Sequence, residues 1–372
     1  MSPRILVTGA HGFVGRNLML RLSEAGYDQV TGLGREAAMA DLQDQAAKAD
    51  VILHLAGANR PEDPAEFVST NVDLTAAIAQ AVAAGGRKPM IFLPSSTKAV
   101  DDTPYGRSKK AAEDVLLDLA ASGQARVHVQ RMPNVFGKWA RPNYNSAVAT
   151  FCHNTVQGLP IEIHDRDAPL TLLYVDDLID GLLALIAEPP GESGFVTLGQ
   201  YHQTTVGAVA DTIVGFSADR DEAMIDAVGS GLTRALYATY ISYLPVERFS
   251  YPLKAHADAR GSFTEFAKTR THGQVSYLTA FPGITRGGHY HHTKTEKFLV
   301  VQGQALFRFR HVLTDQYHEI RTSGDQPEVV ETIPGWTHDI TNVGDDLLIS
   351  LLWANELFDR DRPDTIAAEL TV

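Results

Sequence analysis

Apolar positions fall into two patterns along the chain. Up to about residue 190, short continuous apolar runs, Ile5 to Val7, Val51 to Leu55, Met90 to Leu93 and Val127 to Arg131, alternate with helical stretches rich in Ala and Leu. Continuous runs suit strands covered on both faces, and strands separated by helices pair in parallel. This half therefore predicts an α/β fold with a doubly wound parallel sheet. Past Phe249 come strand-like runs with Gly and Pro turns, including Phe298 to Val301, Ala305 to Arg310 and Leu347 to Trp353. They predict an all-β barrel or jelly roll. The stretch between, about 191 to 248, is mixed and is expected to complete a substrate lobe. The boundary is placed near Pro245, giving domains 1–245 and 246–372. No internal repeat or low-complexity segment stands out.

A chain of 372 residues, 44% hydrophobic, exceeds one core and can fill two. Its formal net charge of −13 argues against wholesale binding of nucleic acid or of an anionic membrane, while allowing a local basic pocket for a phosphorylated small molecule. Cys152 is the single cysteine, so no intrachain disulfide can form and a reducing compartment is expected. The chain opens directly on Ile5-Leu6-Val7, and no run of about eighteen apolar residues is evident. The expectation is a soluble cytoplasmic protein.

The first strand runs into Thr8-Gly9-Ala10-His11-Gly12-Phe13-Val14-Gly15. Glycines three apart let a backbone turn tightly, approach a pyrophosphate and pack the next helix on the sheet, and the N-terminus of that helix favours an anion. Alone the triplet is a weak signal; between a strand and a helix it predicts a dinucleotide site. Candidate cofactor contacts are Gly9, His11, Gly12, Phe13, Val14 and Gly15, with Leu55, Ala56 and Gly57 after a later strand. The end of the second strand, Gly32-Leu33-Gly34-Arg35, has no acidic residue from 29 to 34. Arg35 suits a 2′-phosphate, so NADPH is the expected cofactor. Farther on, Tyr105 and Lys109 are four residues apart and share a helix face. A lysine there can lower the phenol's pKa; a drop of about 3 units would take about 4 kcal/mol and allow proton exchange near neutral pH.

A second chemical centre lies between Gly283 and Gly303. Side chains alternate along a strand, so His289 and His291 face the same way and Glu296 can converge from the next strand. His338, in Pro334-Gly335-Trp336-Thr337-His338, is the candidate fourth ligand. Imidazole and carboxylate donors suit a divalent metal, with zinc preferred and iron, manganese or nickel also compatible. Alternation puts His292 outside. In Phe307-Arg308-Phe309-Arg310 the phenylalanines are expected inward and the arginines in water; with the arginines inward they could hold a diphosphate.

The glycine loop, His54 to Gly57, Asn71-Val72, Ser95-Ser96-Thr97, Tyr105 with Lys109, and Arg131 near Asn134-Val135-Phe136-Gly137 together resemble the extended short-chain dehydrogenase/reductase family over about residues 1 to 245. That resemblance implies a Rossmann-type domain in which Tyr105 protonates a substrate carbonyl as hydride arrives. Thr97 takes the hydroxyl role there, with Ser95 and Ser96 as competitors. It places substrate near Asn59, Arg60, Ser96, Asn134, Lys138, Arg141 and Asn143. The Gly283–Gly303 and Pro334–Asn342 spacings resemble the two signature motifs of the cupin barrel. The fusion resembles the bifunctional capsular polysaccharide and O-antigen enzymes that make the UDP-N-acetyl-L-fucosamine precursor. For those the implied chemistry is C3 epimerisation of a UDP-2-acetamido-2,6-dideoxy-4-hexulose in the cupin, then NADPH-dependent reduction at C4. A homodimer is expected on the same ground. Two rival readings are a single-activity reductase with a metal-stabilised cupin dimerisation module, and a non-enzymatic NADP(H) sensor, against which Tyr105 and Lys109 count.

Overall fold

The computed structural model describes residues 2–225 and 227–370. Two compact units emerge, one of residues 1–214 with 229–244 and one of 215–228 with 245–372. The first contains strands β1 (Ile5–Thr8), β2 (Val30–Leu33), β3 (Val51–His54), β4 (Met90–Ser96), β5 (Arg126–Met132), β6 (Asn134–Phe136), β7 (Pro169–Tyr174), β8 (Gly194–Phe195) and β9 (Tyr201–Thr205). Six of them form a parallel sheet in the order β2-β1-β3-β4-β5-β8. The order reverses beside β1, and in such sheets ligands bind at the carboxyl ends of the strands around that switch point. Every residue of β1 and β3 is buried, as expected for strands covered on both faces. Helices 74–85 and 104–121 pack Ile78, Val82, Ala112 and Leu116 against Ile52, Ile91 and Val127 of the sheet. β6, β7 and β9 make a smaller second sheet.

One element departs from expectation. The helical stretch Glu66–Gly85 is long and apolar enough to cross a membrane, by length and composition. Its Ile78, Ala81 and Val82 belong to the core packed on the sheet. Within it, Ser69–Asp73 is wound as a π-helix, a distortion often found beside functional sites, and it carries the buried Asn71.

The second unit is antiparallel throughout its sheets. The strands that matter below are β12 (Gln274–Ala280), β13 (Thr285–Tyr290), β14 (Glu296–Gln302), β15 (Gln304–His311), β18 (Trp336–Asn342), β19 (Leu348–Ala354) and β20 (Ile366–Ala367). With β10 (Ala255–Asp258), β11 (Gly261–Lys268), β16 (Tyr317–Ser323) and β17 (Val329–Thr332), one sheet runs β10-β11-β12-β19-β14-β17 and the other β16-β15-β18-β13-β20. The inner faces of the two sheets enclose a core of Leu278, Phe298, Phe307, Phe309, Val330, Ile340 and Leu352. Phe307 and Phe309 point inward, each stabilising the fold by roughly 1.5–3 kcal/mol of apolar burial.

Candidate active sites: a dinucleotide cleft and a histidine cavity

In the first unit, Gly9 takes φ +67°, and a Cβ on Gly15 would lie 2.1 Å from the Gly9 carbonyl oxygen, so a side chain there would force the turn apart. The helix Phe13–Glu24 begins at Gly12, aiming its free amides into a cleft of about 720 Å³. A chain of hydrogen bonds fixes the wall of that cleft. Ala56 N donates to Thr8 Oγ1, Thr8 to His54 Nδ1, His54 Nε2 to Thr75 Oγ1, and Thr75 to the Asn71 carbonyl. Since Thr75 gives its proton to a carbonyl, His54 must donate through Nε2, and its neutral tautomer is determined. Burial, with a further push from Lys109, lowers His54 to about 3. It is a structural strut with no proton to offer. Asn71 bonds both backbone groups of Ala58 and the Ser108 hydroxyl.

The helix Pro104–Ala121 presents Tyr105 and Lys109 to this wall. Thr103 caps it by accepting from Gly106 N at 3.0 Å, with Pro104 in the first turn. Gly106 is required because a Cβ there would meet the carbonyl oxygens of Asp101 and Lys98 at 2.3 and 2.4 Å. Tyr105 packs against Phe67 and hydrogen-bonds the Ser96 hydroxyl. The expected lowering of the phenol by Lys109 is not what this cleft produces. Burial raises Tyr105, the Ser96 bond pulls weakly the other way, and the Lys109 ammonium donates to the Pro94 carbonyl at 2.9 Å. Burial, partly offset by Glu113, lowers Lys109 to about 8. A raised phenol keeps its proton at neutral pH, the state a donor needs. If the Lys109 charge supports turnover in this cleft, that turnover should fall with rising pH along a limb near pH 8. A pH–rate profile of kcat checks this, and Lys109→Arg should move the limb upward in whatever activity it retains.

Ser95 donates to the buried Glu113, which also takes a two-pronged ion pair from Arg131 at 2.9 and 2.6 Å. That hydroxyl is occupied. Thr97 opens a short 3-10 turn and lines the cleft, while Ser96 is the hydroxyl in contact with the phenol. Glu113, four residues beyond Lys109, was missed by sequence reasoning; its helical spacing was the available signal.

The cleft gathers the residues of the glycine loop with Leu55, Gly57, Asn59, Asn134 and Arg141. Ala56 lies behind it through its bond to Thr8. Arg60 donates to the Tyr144 carbonyl, Asn59 accepts from the Tyr144 hydroxyl, and Arg141 lies over the Tyr144 ring at 5.3 Å. Lys138 is paired with Asp176 at 2.6 Å, and Asn143 is an exposed turn residue at φ +55°; neither lines the cleft. Arg35 is exposed after β2. Beside it the Glu36 carboxylate, two positions past the stretch scanned for acidic residues, pairs with His11 at 3.3 Å.

In the second unit, one ligand atom from each of His289, His291, Glu296 and His338 lies within 4.8 Å of all the others. β13 and β18 pair His289 with His338, and the turn after β13 brings His291 back to Glu296 at 3.4 Å. His291 Nδ1 donates to the Asp364 carbonyl at 2.5 Å, which leaves Nε2 with its lone pair facing the cluster. His338 Nε2 is buried without a hydrogen-bond partner, although Glu296 is 3.4 Å away; that distance is long for a bond and leaves the nitrogen orphaned. Burial would push the Glu296 carboxyl up, but the His291 and His338 imidazoles, each with Nε2 3.4 Å from it, hold it well below the usual range. Burial and the two neighbouring imidazoles lower His289 to about 4, so it offers a lone pair. The His289 lone pair, the nitrogens of His291 and His338 and one ionised carboxylate fit a divalent cation. His292 is exposed, as alternation suggested.

The Asp364 side chain secures the same corner. At φ +35° it accepts from the amides of His292, Thr293 and Lys294 at 2.8–3.0 Å and from the Thr293 hydroxyl. No local signal marks it, since it lies 73 residues from His291. If the cluster holds a divalent cation, Asp364→Ala should weaken its affinity by about 10- to 100-fold, the usual effect of removing a ligand's support, read with added zinc by competition with a chromogenic chelator. Arg308 and Arg310 do not enter the cavity; they pair with Asp339 and Asp315.

Comparison with known proteins gives matches over both units. The NAD dependent epimerase/dehydratase family matches residues 5–196, and the Polysaccharide biosynthesis C-terminal domain matches residues 256–366. The UDP-2-acetamido-2,6-beta-L-arabino-hexul-4-ose reductase of Pseudomonas aeruginosa PA103 is 48% identical over 367 residues, 99% of each chain. The capsular polysaccharide assembling protein CapF from Staphylococcus aureus has a structure matching at TM-score 0.91 and 42% identity, over 99% of this chain and 100% of its own. RMD from Pseudomonas aeruginosa, solved with NADPH, is 21% identical with a TM-score of 0.53 over 65% of this chain and 98% of its own, and shares the fold alone.

Proposed function

Since the chain belongs to the family of the UDP-2-acetamido-2,6-beta-L-arabino-hexul-4-ose reductase, we propose that it is a bifunctional nucleotide-sugar enzyme of capsule or O-antigen synthesis. The C-terminal domain, about 246–372, epimerises C3 of a UDP-2-acetamido-2,6-dideoxy-4-hexulose. The N-terminal domain, about 1–245, then reduces the C4 ketone toward UDP-N-acetyl-L-fucosamine. The observation that carries the reading is that one chain holds Tyr105 and the glycine loop in one cleft and, in a separate unit, a three-histidine, one-carboxylate cavity.

In the cleft, Tyr105 gives its proton to the ketone oxygen and Ser96 or Thr97 steadies that oxygen. The nicotinamide, when bound, supplies the hydride to C4. Lys109 holds positive charge beneath the phenol as its proton leaves, and Arg141 with Asn59 and Asn134 borders the substrate side. Arg35 is assigned to the 2′-phosphate of NADPH, with Glu36 beside it as the group to be outweighed. In the cavity, His289, His291, Glu296 and His338 would hold zinc, which there serves as a Lewis acid toward the ketone. The ketone acidifies the C3 hydrogen, so a proton lost from one face and regained on the other inverts that centre. Reduction then removes the acidity and traps the new configuration. A homodimer in the cytoplasm completes the proposal; the single, buried Cys152 is in keeping with a reducing compartment.

The test is incubation with UDP-4-keto sugars in deuterated buffer with NADPH or NADH, followed by NMR. Deuterium at C3, an alcohol at C4 and preference for NADPH are expected. Ketone reduction with protium retained at C3 would leave a reductase alone.

A further inference from the structure

β13 contains one residue more than the strand it pairs with. Arg286 faces Ile340 and Gly287 faces Asp339, yet His289 faces His338. In a regular strand residues 286 and 289 would point to opposite sides. The extra residue of the bulge restores their parity, so Arg286 shares the face of the metal-ligand candidate His289. Glycine makes the bulge: Gly287 and Gly288 have φ +109° and +78°, and a Cβ on Gly287 would sit 2.8 Å from the Asp339 Cα.

Arg286 therefore lines the same cavity of about 580 Å³ as His289, Glu296 and His338. Its guanidinium has one long bond, to the Thr279 carbonyl at 3.4 Å, and among the described residues no carboxylate lies within ion-pair distance. The neighbouring Arg260, also on the cavity wall, is engaged by Asp258 at 2.6 Å. Burial and then the Arg260 charge work against the Arg286 cation, and the Asp258 carboxylate, itself paired with Arg260, offsets part of this. A half-buried guanidinium next to another cation, with most of its five donors unused, is matched by an anion entering the cavity. Phe263, Leu278, Phe298 and Phe307 supply apolar wall to the same cavity.

We propose that Arg286 is the anion clamp of the cupin cavity, gripping the diphosphate of a nucleoside-diphosphate sugar whose ring reaches the histidine cluster. This rests on the reading of the cavity as the epimerase site and deepens it. The arginines of β15, which the sequence offered for the same task, are committed to carboxylates instead.

The full-length, zinc-loaded protein is titrated with UDP by calorimetry, and C3 exchange is measured against substrate concentration in deuterated buffer without reductant. Wild type should bind UDP in two sites, one per unit. Arg286→Gln should weaken one of them by about 10- to 100-fold and raise KM for exchange by a like factor, the scale of a lost charge-assisted bond, with kcat and zinc content little changed. Arg286→Lys should recover part of the loss, which a merely structural role would not give. A folded, zinc-loaded Arg286→Gln protein with an unchanged UDP isotherm and unchanged KM overturns the proposal. Absence of exchange in wild type would defeat the epimerase reading by itself, and the UDP isotherms would still decide the clamp.

Discussion

Tyr105→Phe is expected to lower NADPH oxidation by about 10³- to 10⁴-fold while C3 deuterium exchange continues at the wild-type rate. The upper range of general-acid contributions applies because the proton-bearing groups packed behind the phenol are committed elsewhere. His54 is neutral and bonded on both nitrogens, Ser95 is tied to Glu113, and Lys109 is turned to the Pro94 carbonyl. The substitution removes one oxygen from a phenol packed on Phe67, so it should leave the helix and its cap intact. Loss of kcat with little change in KM would mark an interaction made in the transition state. Loss of exchange as well, in a protein of unchanged melting temperature, would mean that the two activities are not divided between the units as proposed.

The two centres differ in how far the sequence discloses them. The glycine loop and the Tyr105–Lys109 pair are local, since each lies within one turn or one helix and its spacing states its geometry. The histidine cluster is nearly as legible, because β13, β14 and β18 are regular enough near His289, Glu296 and His338 for alternation to predict a shared face. Alternation fails one turn away. The Gly287–Gly288 bulge inverts parity, so Arg286 reads as an outward residue from spacing and lies on the inside. Asp364 is hidden for another reason, as its contacts with 291–294 join segments some seventy residues apart and leave no period in the sequence. The expected effect of Lys109 on Tyr105 assumed that charge acts at the solvation of water. In the folded cleft Lys109 is buried and Tyr105 half-buried, and desolvation raises the phenol and lowers the amine.

Glu296→Gln should separate the activities in the opposite sense. It is the only anionic member of the cluster, and Gln offers a neutral carbonyl in the same volume, so zinc affinity should fall by at least about 100-fold, more than removal of a supporting group costs. C3 exchange should become undetectable at zinc concentrations that saturate wild type. NADPH oxidation with a substrate already epimerised at C3 should continue, because Tyr105, Ser96 and Lys109 belong to the other unit. Chelator treatment of wild type should give the same pattern, reversed by added zinc. The buried position of Glu296 between two imidazoles makes the variant informative about folding too. Its amide can still meet His291 and His338, so the strand pairing of β14 with β19 should survive and the melting temperature should change mainly by the loss of bound metal. Undiminished exchange in a metal-free Glu296→Gln protein would show that epimerisation proceeds without the ion, and the cluster would then be a structural staple of the barrel.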